Sequence, residues 1–234
     1  MTIQLEICAA SLASARAARA GGAHRIELCQ HLEQGGTTPS YGLIRQVLAE
    51  LRIPVFVLIR PRPGGFVYDA GELAAMRHDI AICRELGCAG VVLGVLDATG
   101  HVATAQCREL LAVAGPLPAT FHRAFDACPD QFRALEDVVA LGFQRVLTSG
   151  GEATAVAGQA RLAALVRQAA GRLCIMPGAG ITATNLPALR SATGAREFHA
   201  SAKRTVPANP ADGLFAAERL ETDAALVAEL VAQL

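Results

Sequence analysis

A chain of 234 residues that is 52% hydrophobic and 18% charged can bury one large core and still keep a soluble surface. Its 21 basic and 21 acidic residues cancel, so nothing in the charge balance suggests a nucleic-acid backbone or an anionic membrane as partner, since either would favour a basic face. No apolar run reaches the length of a membrane span, and residues 1–6 have neither the basic start nor the apolar stretch of a signal peptide, which predicts a cytoplasmic protein.

Short runs rich in Val, Ile and Leu alternate with longer Ala/Leu/Arg/Glu segments, the pattern of strands alternating with helices. In chain order, a strand near 4–8 leads to a helix near 11–20, and a strand near 25–29 to a helix near 40–51. Strands near 55–60, 90–94 and 119–122 precede helices near 72–86, 104–114 and 129–141. The last three units pair strands near 145–148, 173–176 and 197–200 with helices near 155–170, 183–191 and 222–233. Gly22, Gly87, Gly142, Gly171 and Gly194 each stand at the left-handed cap between a helix and the next strand. Eight βα units with no linker predict a single α/β domain over 1–234, a (β/α)8 TIM barrel; an open doubly wound sheet is the alternative. A closed barrel places its site at the C-terminal strand ends.

Side chains alternate along a strand, so parity sorts the inward residues from those facing the helices. The apolar set (Leu5 and Ile7, Ile26 and Leu28) packs against helices, which turns Glu6, Glu27, Arg60, His122 and His199 inward near the barrel top. Unpaired charges there would be costly, so they pair with each other or with a ligand. A structural ion-pair layer inside the barrel is the competing reading, as is an Arg60 pair with Glu27 or Glu6. In the Phe121–Asp126 segment, His122 is a candidate acid/base, with Asp126 beside it. Arg60-Pro61-Arg62 holds two guanidiniums on a stiff turn suited to carboxylate or phosphate. After the seventh strand, the loop carrying Gly178 and Gly180 is an anion cradle or simply a tight turn.

Seven cysteines without a Cys-x-x-Cys pair are thiols by default, and the strong zinc signatures are absent. Cys8 and Cys29 occupy matching places on neighbouring strands, each two residues after a glutamate. Two such thiolates suit Cu(I), and buried apolar packing is the bland alternative.

Along nearly its whole length the chain resembles the copper homeostasis protein CutC family. The matching segments are 5–8 (LEIC), 22–29 (GAHRIELC), 35–40 (GGTTPS), 59–62 (IRPR), 120–126 (TFHRAFD), 145–150 (RVLTSG) and 197–199 (EFH). The resemblance implies a cytoplasmic barrel linked to copper, with Cys8 and Cys29 at the positions proposed as Cu(I) ligands.

Two functions follow. One is a copper-handling protein that holds Cu(I) on Cys8 and Cys29. The other is a barrel enzyme acting on a small phosphorylated or carboxylated molecule by isomerisation, aldol-type cleavage or hydrolysis. In the enzyme, Glu27 and His122 exchange protons while Glu6, Asp126 and His199 position them. Arg60, Arg62, Arg123, Thr148, Ser149, Gly178, Gly180 and Ser201 would then bind substrate. No organic cofactor is expected. The partner is a copper ion or a small anion, and the apolar last helix packs on the barrel or on a second subunit as a homodimer.

Overall fold

The computed structural model describes residues 3–234 apart from the Phe215 side chain. Its first half runs β1 (Gln4–Ala9), α1 (Leu12–Ala20), β2 (Arg25–Leu28), α2 (Tyr41–Glu50), β3 (Val55–Leu58), α3 (Ala70–Glu85), β4 (Gly90–Leu93) and α4 (Thr104–Ala114). The second half runs β5 (Ala119–Phe121), α5 (Gln131–Leu141), β6 (Arg145–Thr148), α6 (Gln159–Ala169), β7 (Cys174–Pro177), α7 (Leu186–Thr193) and β8 (Glu197–Ala200). A hairpin of β9 (Lys203–Val206) and β10 (Arg219–Thr222) then precedes α8 (Ala224–Val231).

Local chemistry sets the helix ends. The side chains of Ser11, Ser40, Asp130 and Asp223 accept first-turn amides, and Asp69 with Glu72 forms a reciprocal capping box. The five cap glycines of the sequence pattern all have positive φ, from 70° at Gly194 to 91° at Gly22. A β-carbon there would meet the following carbonyl, so glycine is the residue that lets each helix turn into the next strand.

Eight parallel strands form the sheet in the order β7-β6-β5-β4-β3-β2-β1-β8, and β7 packs beside β8 to bring the ring nearly to closure. This is the (β/α)8 barrel, not the open sheet. One core lies between strands and helices, with Leu5, Ile7, Ile26 and Phe198 fully buried in it. A smaller one fills the barrel interior with Cys8, Cys29, Phe56, Leu58 and Val92. A β-carbon at Gly90 would lie 2.5 Å from the Phe56 ring, so the bare backbone of β4 makes room for that ring across the barrel floor.

The hairpin was not foreseen from the sequence. Its end is tied to the barrel by the buried Thr222, whose hydroxyl donates to the Cys8 carbonyl at 3.3 Å. The apolar last helix lies on the barrel's own α1: Val227 and Leu230 are buried, and Val227 would sit 2.5 Å from a β-carbon on Gly21. Among the described residues, no helix is long and apolar enough to cross a membrane.

Candidate functional site at the barrel mouth

The interior carries two polar levels. The lower one is an ion network. Arg25 Nε donates to Glu6, and its Nη2 reaches Glu197 at 2.7 Å, which also receives Arg145 at 2.7 Å. The two guanidiniums lie 5.0 and 5.2 Å from the centre of the Phe56 ring, so an aromatic face and two carboxylates neutralise them away from water. Burial pushes the Glu6 carboxyl up, but the Arg25 charge and the His199 contact outweigh it and hold it at about 2. Glu6 is thus an anion at neutral pH, and it is not among the residues lining the mouth, a correction to its expected place at the top. Parity already groups Arg25 with Glu27 and Cys29, so the arginine was within reach of sequence reasoning and was missed; Arg145 was missed too.

The upper level lines a cavity of about 1150 Å³ at the C-terminal strand ends. His199 connects the two levels: its Nδ1 is 2.8 Å from Glu6 Oε1 and its Nε2 3.5 Å from Glu27 Oε2. Burial draws the His199 pKa down, but the Glu27 and Glu6 carboxylates overcome this and the net shift is upward. For Glu27 burial dominates, and its carboxyl is raised despite the opposing pull of His199. Donor atoms of Cys8, Glu27 and His199 all lie within 4.8 Å of one another.

Cys8 Sγ lies 3.3 Å from Cys29 Sγ, and both residues are buried and free. Adjacent parallel strands carry the two inward, and the left-handed loop at Gly36 closes over Cys29; a β-carbon there would be 3.7 Å from its sulfur. The hydrogen bond to Cys29, burial and the Glu27 charge together raise the Cys8 thiol well above its ordinary range.

Arg60 pairs with neither glutamate. Its Nη1 donates to the carbonyls of Gly36 (2.7 Å) and Gln34 (3.2 Å), and its Nη2 to Gly64 (2.7 Å). His122 accepts the Ala124 amide on Nδ1 at 3.2 Å. Burial, aided by the Arg60 charge, lowers its pKa to about 3. At neutral pH the ring is uncharged, which removes the near-neutral titration expected of an acid/base there.

The β6 loop holds an anion already, supplied by the chain. Asp126 accepts the amides of Ser149 (3.0 Å) and Gly151 (3.1 Å), the Thr148 hydroxyl, and Arg123 Nε at 2.8 Å. Thr148, Ser149 and Arg123 thus serve the Asp126 carboxylate. Gly178 faces His199, whose Cβ would be 3.5 Å from an added β-carbon. Ala179 and Gly180 have φ of 77° and 72°, and their carbonyls accept from Ala155 and Asn185, so turn geometry accounts for this loop. Gly180 and Ser201 line the cavity; Arg62 stands apart from it, bound to Glu72 and the Gly65 and Val67 carbonyls.

Comparison with known proteins follows the same chain segments. The model of the CutC family matches residues 3–204. The chain belongs to the CutC family. It is 57% identical over 204 residues to a family protein CutC of Xanthomonas axonopodis pv. citri, covering 87% of this chain and 85% of that one. A human relative named copper homeostasis protein cutC homolog is 47% identical over 201 residues, covering 86% and 74%. The crystal structure of CutC from Streptococcus agalactiae, a protein assigned to copper homeostasis by name only, superposes with a TM-score of 0.81 at 39% identity, over 86% of this chain and 99% of that one. A likeness to monomers of phosphoribosylanthranilate isomerase from Thermotoga maritima, TM-score 0.62 at 11% identity, concerns the barrel alone. In this CutC chain the matched segment contains the whole barrel sheet and every residue of the mouth discussed above, while β10 and α8 lie beyond it.

Proposed function

We propose that this CutC protein handles copper in the cytoplasm, receiving Cu(I) between Cys8 and Cys29 at the floor of the barrel mouth. The observation that carries the reading is the 3.3 Å contact between two free thiols on neighbouring strands, beside an open cavity. Thiolates select the soft monovalent ion, and the cluster offers His199 as a further nitrogen donor. Arg60 disfavours a hard divalent ion at the same place, since it is a fixed positive charge on the cavity wall with no carboxylate paired to it. Seven free cysteines fit a reducing compartment. The copper role named for the human and streptococcal relatives points the same way.

Anaerobic titration of Cu(I) against a competing chelator tests it. The wild type is expected to take up one ion per chain, and Cys8→Ser with Cys29→Ser to lose that uptake while keeping its fold. Binding that is weak, or unchanged in the double variant, would sink the two-thiol site.

A further inference from the structure

We infer that the same mouth binds the carboxylate of a small organic anion, received by Arg60 Nε and His122 Nε2. Neither group is a thiol, so the inference stands apart from the copper reading. Both residues are more than nine-tenths buried, at 6% and 4% exposure, and both line the cavity. Arg60 Nε and His122 Nε2 have no hydrogen-bond partner. Each is a donor: the first by the nature of guanidinium, the second because Nδ1 accepts the Ala124 amide and leaves the ring hydrogen on Nε2. Buried donors without acceptors are rare and costly, so two of them in one cavity wall call for an acceptor.

Charge narrows the class. The surroundings of Arg60 are neutral carbonyls, the nearby Tyr68 hydroxyl and the face of Phe66, 5.2 Å from the guanidinium; they solvate the cation without cancelling it. His122 packs on the same ring, at 5.0 Å between centroids, so Phe66 contacts both residues. One uncancelled positive charge with two N–H donors suits a planar monoanion. A phosphate dianion fits less well, because Glu27 and Asp126 already face this cavity and the β6 amides that would cradle it are given to Asp126. A cavity of about 1150 Å³ also exceeds what one ion fills and has the size of a metabolite pocket.

The probes are acetate, pyruvate and inorganic phosphate at matched ionic strength. Readouts are thermal stabilisation and the ¹⁵N resonance of His122 Nε2. Acetate and pyruvate are expected to give saturable stabilisation and to move that resonance, as ligands of the folded state alone must stabilise it. Arg60→Gln and His122→Phe should each weaken binding by roughly tenfold to a hundredfold, the worth of a hydrogen bond to a charged group. Should Arg60→Gln fail to fold, His122→Phe carries the test, since it fills the same space without the donor. Saturation by phosphate alone, no saturable response to any probe, or unchanged carboxylate binding in folded His122→Phe would each overturn the inference.

Discussion

Arg25→Met is expected to lower the unfolding free energy by about 3–5 kcal/mol, the usual cost of removing one partner from a buried ion pair. The size follows from position. Arg25 and Glu6 are almost fully enclosed, and Arg25 is the guanidinium that bonds Glu6, while Glu197 retains Arg145. The variant leaves a carboxylate in the barrel with only the His199 contact to offset its burial. Urea unfolding at neutral pH measures the loss. Its pH dependence gives an independent check. In the wild type the Glu6 pKa is depressed from 4.5 to about 2, so its contribution to stability is present above pH 4.5 and is lost as pH falls toward 2. The gap between wild type and Arg25→Met should therefore narrow over that interval. A loss under about 1 kcal/mol, as for an exposed pair, would mean that water reaches the network.

The second large effect is on metal affinity. Cys8 is held as the thiol by Cys29, burial and Glu27, and a thiol must lose its proton to ligate copper. Cu(I) affinity should thus rise with pH by about tenfold per unit for the Cys8 proton alone, as long as pH stays below its raised pKa. Chelator competition at several pH values measures the slope. Glu27→Gln removes one of the charges that raise the Cys8 pKa, so it should strengthen binding at a given pH unless Glu27 is itself a ligand. A flat pH profile would show that no thiol proton is displaced.

The sequence makes the barrel legible because its signals are local. Alternation within each strand, serine and aspartate caps, and glycines at left-handed helix ends each act over a few residues. Parity correctly turned Glu27, Arg60, His122 and His199 inward. What it lacks is height along the barrel axis, and so Glu6 was expected at the top when it lies with Arg25 on the lower level. The partners of Arg60 were hidden for another reason. They are carbonyls of loops whose path depends on left-handed backbone at Gly35, Gly36 and Gly64, and nothing in side-chain type reveals where those carbonyls point. Asp126 is a similar case: its residue type suggested chemistry, yet it fills the amide cradle of the β6 loop. The β9–β10 hairpin escaped notice because its exposed, mixed residues carry no clean apolar alternation.

Copper X-ray absorption on anaerobically loaded protein tests the central claim most directly, because it reads the atoms around the metal. The account predicts a first shell built from the sulfurs of Cys8 and Cys29, which loses one sulfur in Cys29→Ser. A shell of nitrogen and oxygen alone, or a sulfur shell unchanged by that substitution, would contradict it.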